Sequence, residues 1–405
     1  MRLIPRSRLG RGVLAAVAAV VLWQAGHFGL RYWQFETLFR ADRIVENFRS
    51  MPRYFNSIAM HNSAEVLPWS VEEKPLPTSF QFQGKEYALK DWIAQTGTTG
   101  LMVVADGKVA FEQYYQGNTA QTEAISWSLG KSFVSSLIGF ALADGSIKSL
   151  RDPVSDYVPS LKGGGYEGVP IQDVLEMSSG IEFDEDYANP DAGINVLGQR
   201  IFLGQTTNDW IAQRTRAKAP GTELHYISID TQVLGMVLEA ATGKSVAQYM
   251  QDQLWSRIGA EGDARWITDA HGAVLAFAGL NARLRDYARF GQLYLDGGRN
   301  LRGEPVLPEA WVRGSVKPRT PYLQPGREMQ EGNPRLGYAY QWWVPQGDEG
   351  EFSAIGVYGQ FIYVNPTRRV VIAKNSAYVD YNKDGTRMEY QSIEAFRAIA
   401  RALRP

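Results

Sequence analysis

The chain has 405 residues, 44% of them apolar, with 42 Lys and Arg against 43 Asp and Glu. At roughly 100–200 residues per domain this is enough for two to four units or one large domain, and the balance of apolar and charged residues excludes wholesale disorder. A net charge of −1 leaves no broad basic field, so no nucleic-acid partner is expected. Cysteine is absent and only His27, His61, His225 and His271 are present. Disulfides, thiolate nucleophiles and cysteine-based metal centres are thereby excluded, and no HExxH or HxH pattern exists. No metal or other cofactor is expected, and a hydrolytic site would draw on bases other than histidine.

Along the chain, Arg2, Arg6, Arg8 and Arg11 precede an apolar run from Val13 to Trp23, and no charge falls between Arg11 and Arg31. As a helix that interval rises about 28 Å, close to the hydrocarbon core of a bilayer. The residues after the run make a poor small-x-small cleavage site, which favours an uncleaved signal anchor over a signal peptide. The arginines then keep residues 1–12 cytoplasmic, residues 13–31 span the inner membrane, and the body is extracytoplasmic, in the periplasm. Residues 32–77 read as a tether and lead-in outside the fold, so a chain starting near Ser50 is expected to be soluble and active. Nothing in the sequence sets an oligomeric state.

Residues 78–405 read as one catalytic domain. Leu101–Ala105 and Val109–Tyr115 flank Asp106-Gly107, and Gln360–Val364 and Arg369–Ala373 flank Asn365-Pro366. Each is a hairpin pattern. Ile393, Phe396, Ala400 and Leu403 have the spacing of a helix that covers a sheet. The two chain ends are expected to pair in one antiparallel sheet, with a mostly helical subdomain over about 130–345 and a cleft between. Asp380-Tyr-Asn-Lys-Asp-Gly385 opens like a calcium loop but has Gln391 where the closing Glu belongs, so a plain Asp-Gly turn is the better reading.

In Ile125–Leu142, Phe133, Leu137, Ile138 and Leu142 have helical spacing, so a buried helix is predicted to begin near Ser128. Ser128 and Lys131 then share a face, with Cβ atoms about 5–6 Å apart. A serine hydroxyl needs a base to become a nucleophile. A lysine can serve when burial and a helix N-terminus push its pKa down. The Ser128 N–H could also meet a developing oxyanion. Two overlapping patterns weaken. Gly130-Lys131-Ser132 lacks the first glycine of a phosphate loop, and Ser126-x-Ser128-x-Gly130 has Ser for the first Gly of a nucleophile elbow. The elbow stays open as an alternative, with His225 or His271 as base.

Further on, Pro220-Gly221 makes a turn, and a short extended piece leads through Tyr226-Ile-Ser228 into a helix carrying Val233, Leu234, Val237 and Leu238. Ser128-x-x-Lys131, Tyr226-x-Ser228 and a late glycine strand together resemble the serine β-lactamase and penicillin-recognising superfamily over roughly residues 80–400. Ser126–Phe133, Tyr338-x-Tyr340-Gln341-Trp342-Trp343 and Gly356-Val-Tyr-Gly-Gln360 resemble its 6-aminohexanoate-dimer hydrolase branch, related to class C β-lactamases and esterases.

The resemblance implies an α/β (α+β), β-lactamase-like fold and a serine hydrolase that cleaves small-molecule amides or esters through an acyl-enzyme. Ser128 would be the nucleophile, Lys131 its base and Tyr226 the proton shuttle, with a phenolate favoured beside Lys⁺. Ser228 stands where the family often has Asn, an altered contact. The usual Lys-Thr-Gly is replaced by Ala354-Ile355-Gly356. There Gly356 would let the strand approach substrate and Val357 would offer the second oxyanion N–H, while the cation that receives a β-lactam carboxylate is gone. Arg283 or Arg285 could replace it. Tyr187, in the acidic run Glu182–Tyr187, would touch the leaving amine. The rival expectation, a silent protein of this fold that binds cell-wall or peptide ligands, should have lost Ser128, Lys131 or Tyr226, and all three are present.

Overall fold

The computed structural model describes residues 8–404. Helix α1 (Arg8–Thr37) is followed by the short α2 (Ile44–Phe48) and strands β1 (Asn56–Met60) and β2 (Ser70–Val71). The hairpin β3 (Thr98–Ala105) and β4 (Lys108–Tyr114) and the short β5 (Glu123–Ile125) lead into α3 (Gly130–Ala143). The middle contains α4 (Gly193–Phe202), α5 (Ser228–Thr242), β6 (Ala264–Thr268), β7 (Leu280–Arg283) and α6 (Leu284–Leu295). The chain ends with β8 (Gly337–Tyr338), β9 (Trp343–Val344), β10 (Phe352–Gly356), β11 (Gln360–Asn365), β12 (Val370–Ser376) and α7 (Tyr381–Leu403).

Eight strands form one sheet in the order β8-β9-β10-β11-β12-β3-β4-β2. The chain ends do pair: β12 runs antiparallel to β3, with Ile372 opposite Val103. Asp106 and Gly107 take φ of 49° and 74°, the left-handed pair that a two-residue hairpin of native twist requires. The three strands β3, β11 and β12 are buried on both faces, and side chains alternate between them. Leu101, Val103, Phe361, Tyr363, Val370 and Ile372 face Ile393, Phe396 and Leu403 of α7. Met102, Val104, Ile362, Val364, Val371 and Ala373 face the larger core shared with α3, α5 and α6. Within that core Phe133 of α3 stacks on Phe290 of α6 at 3.7 Å.

Three expectations need correction. The middle is not only helical: β6 and β7 join β1 and β5 in a second, four-stranded sheet, ordered β1-β6-β7-β5. The lead-in is not a loose tether either. Strand β1 pairs along its length with β6, from Asn56 opposite Thr268 to Met60 opposite Ala264, and β2 lies parallel to β4. Leu38, Ile44, Phe48 and Met51 are buried, because these apolar residues pack into the larger core. Finally, Asp380–Gly385 is no free turn. It forms the start of α7, kinked at Asp384 (φ −142°), and Asp380 is paired with Lys383 at 2.6 Å.

Helix α1 carries a stretch, Gly12–Thr37, long and apolar enough to cross a membrane. Its last turns are attached to the body. Arg31 Nε donates to the Phe202 carbonyl at 2.7 Å, and Phe35 meets the Phe202 ring edge-on at 5.2 Å.

Candidate active site

Leaving β5, the chain is held by the Ser126 N–H, which donates to the Leu280 carbonyl at 2.7 Å. It then makes a single 3₁₀ turn, Trp127–Leu129, before α3 begins at Gly130. Trp127 sits at φ 46°, a left-handed conformation that costs a bulky residue about 1–3 kcal/mol and that only surrounding structure can enforce. This turn presents Ser128, 8% exposed, beside Lys131, 1% exposed. Lys131 Nζ donates to Ser128 Oγ at 2.5 Å and to Ser228 Oγ at 3.0 Å. Burial is the main influence on the ammonium and lowers its pKa to about 7, opposed by the Glu185 carboxylate. The neighbouring serines are engaged elsewhere. Ser126 Oγ donates to the Trp127 carbonyl at 3.0 Å and Ser132 Oγ to the Gln341 carbonyl at 2.6 Å. His225 and His271 are exposed, and His271 Nε2 lies on the Gly204 carbonyl at 3.1 Å. The histidine-based elbow therefore has no base at Ser128.

Tyr226 comes to Lys131 from the extended piece before α5, with Lys131 Nζ 4.9 Å from its ring centre. The ring also stacks on Trp343 at 5.1 Å, and Tyr338 meets it edge-on at 5.9 Å. Desolvation first, and then the Glu185 carboxylate, push the phenol pKa up. A favoured phenolate was expected on the premise that Lys131 is cationic. Burial that brings the lysine to about 7 weakens that premise, and with its own pKa pushed up Tyr226 keeps its proton at neutral pH.

Glu185 is the residue that the sequence reading missed. The Ser228 N–H donates to its Oε2 at 2.9 Å, the Ser228 hydroxyl donates to its Oε1, and the Tyr187 hydroxyl donates to Oε1 at 2.8 Å. Ser128, Lys131, Ser228, Glu185 and Tyr187 thus form one hydrogen-bonded chain. The only signal was the acidic composition of Glu182–Asp186, which does not single out one carboxylate.

Strand β10 closes the other side. A Cβ on Gly356 would lie 2.4 Å from the Ser126 carbonyl oxygen and 3.0 Å from the Leu129 nitrogen, so glycine is required by close backbone approach. That approach brings the end of β10 against the nucleophile turn. Gly356→Ala should push strand and turn apart, costing about 1–3 kcal/mol of stability and about 10²-fold in kcat through misplacement. Thermal melting and ester kinetics on the same sample check both. Among the described residues, β10 carries no cation toward the site. Ala354 is buried, and Lys374 is buried with Nζ 3.4 Å from the Gly359 carbonyl. Arg285 is committed to Glu112 at 2.7 Å and Glu261 at 3.2 Å, and Arg283 packs over Gly262. Among the described residues no cluster of three His, Cys, Asp or Glu could hold a metal ion.

A family model described as Beta-lactamase matches residues 89–395. The chain belongs to the beta-lactamase family. Within this family it is 28% identical to a 6-aminohexanoate-dimer hydrolase of Paenarthrobacter ureafaciens over 298 residues, 72% of this chain and 76% of that protein. A solved Bacillus anthracis structure, named for the 6-aminohexanoate-dimer hydrolases, superposes with a TM-score of 0.80 at 23% identity, covering 90% of this chain and 96% of that one. EstCE1, a hydrolase with promiscuous acyltransferase activity, superposes at 0.60 with 16% identity, covering 77% and 96%. The β-lactamase-like fold that the resemblance implies is therefore the fold found, and the chain is a serine hydrolase of that family.

Proposed function

We propose that this beta-lactamase-family hydrolase cleaves an amide or ester through an acyl-Ser128 intermediate, with Ser-Lys-Tyr catalysis. The observation that carries the reading is the 2.5 Å contact from Lys131 Nζ to Ser128 Oγ, joined to a lysine pKa near 7. Such a base is half neutral at neutral pH. As Ser128 Oγ attacks the substrate carbonyl carbon, its proton passes to Lys131. The N–H groups of Ser128 and Val357 receive the oxyanion. Collapse breaks the C–N or C–O bond, and the leaving group takes the proton of the Tyr226 hydroxyl, which Lys131 restores. Water then hydrolyses the ester and Ser128 regains its proton. Ser228 and Glu185 hold Lys131 in place, Gly356 admits the substrate along the strand, and Tyr187 is positioned for the leaving group. Fluorophosphonate labelling with peptide mapping tests this: the adduct should fall on Ser128, and an adduct on Ser126 or Ser132 would refute it.

The absent cation sets the substrate class. A charge-assisted contact to a β-lactam carboxylate is worth about 1.5–3 kcal/mol, or roughly ten- to a hundred-fold or more in kcat/KM. Short-chain p-nitrophenyl esters should be hydrolysed readily, linear amides more slowly and nitrocefin poorly. Nitrocefin turnover equal to that of p-nitrophenyl butyrate would overturn the substrate argument. We further propose that α1 anchors the enzyme in the inner membrane with residues 1–12 cytoplasmic and the hydrolase domain in the periplasm. Recovery of the full chain with membranes after carbonate extraction tests the anchor.

A further inference from the structure

Trp127 precedes the nucleophile and Tyr358 follows the second oxyanion donor, and both occupy the left-handed region, at φ 46° and 62°. The same two side chains hold both. Phe39 stacks on Tyr358 at 5.0 Å and leans on Trp127 at 5.7 Å. Phe48 meets Trp127 and Tyr358 edge-on, each at 5.3 Å. Trp127 and Tyr358 are themselves 6.1 Å apart, so the four rings form one cluster over the seam between the nucleophile turn and the end of β10. The two phenylalanines come from the lead-in, outside residues 89–395 that the family model matches. They are fixed independently of the site: buried Asn47 donates to the Thr37 carbonyl at 3.2 Å and the Leu38 carbonyl at 2.8 Å, and accepts from the Tyr54 hydroxyl at 2.6 Å.

We infer that Phe39 and Phe48 are positioning residues that clamp Trp127 and Tyr358 in their left-handed conformations, and so set the distance between Ser128 and the Val357 N–H. This rests on the acyl-Ser128 reading for its effect on rate, though not for its effect on backbone order. It also reverses the expectation for a chain starting near Ser50, which lacks both rings and should lose activity even where it stays soluble.

The test uses the full chain in detergent, as wild type, Phe39→Ala, Phe48→Leu and Phe39→Tyr. Phe39 is 38% exposed, so its alanine variant should fold. Fluorophosphonate labelling rate and kcat on p-nitrophenyl butyrate should fall roughly 10–100-fold in Phe39→Ala and Phe48→Leu, with KM nearly unchanged and Phe39→Tyr close to wild type. Hydrogen exchange should rise in peptides covering 126–130 and 356–360 and stay unchanged in α7. Exchange and labelling both at wild-type level in folded Phe39→Ala would overturn the clamp. Raised exchange with no labelling of the wild type would keep the clamp and reject the acyl-Ser128 reading.

Discussion

Ser128→Ala should lose turnover by a factor on the order of 10⁶, the scale for removing a serine nucleophile from a site whose other groups act only with it. The substitution removes one oxygen from a side chain that is 8% exposed, so folding should be unaffected. Lys131 Nζ would keep its contact with Ser228 Oγ at 3.0 Å, which leaves the base in place with no proton to take. Kinetics on p-nitrophenyl butyrate and mapping of the fluorophosphonate adduct check the result together. Persistent labelling in the variant would move the nucleophile elsewhere.

Lys131→Ala should cost roughly 10²–10⁴ in kcat/KM, the range for a positioned base. The pH profile separates this from a packing defect. With Lys131 near 7, its neutral, competent form declines as pH falls. Wild-type kcat/KM should therefore drop about tenfold per unit well below pH 7 and reach a plateau above about pH 8. Tyr226 is pushed up, so it adds no falling limb near neutrality. Lys131→Ala should lose the acid limb along with the rate. An unchanged acid limb in that variant would assign the base role to another group.

Some features were legible in the sequence because their periods are local. The hairpin β3–β4 follows from two apolar runs around Asp106-Gly107, and α7 from Ile393, Phe396, Ala400 and Leu403 on one face. Ser128 and Lys131 were legible because three residues along a helix fix their proximity whatever the rest of the chain does. The second sheet was not legible. Asn56–Met60 is short and mixed in polarity, and its partner Ala264–Thr268 lies some two hundred residues on. Glu185 was hidden for a related reason: its partner Ser228 stands at the start of α5, some forty residues on, and one carboxylate in an acidic run carries no mark. The protonation of Tyr226 follows from its own burial and from the nearby Glu185 carboxylate, which a sequence pattern cannot measure.

The pairing of β3 with β12 constrains when this protein can become itself. On one side Val103 pairs within its own hairpin, with Phe111, but on the other its neighbour is Ile372, so the centre of the large sheet joins segments separated by well over half of the residues given. Contacts of such long range close slowly, because the loop entropy is spent before the contact forms. Until β12 has emerged from the ribosome, β3 has an open edge on that side, and the face that packs on α7 still lacks that cover. Helix α3, which follows the turn that carries Ser128, packs against a core that this late strand completes. The nascent chain must therefore carry an unfinished sheet in need of protection until β12 is made, and hydrolytic competence waits until β12 and α7 are in place.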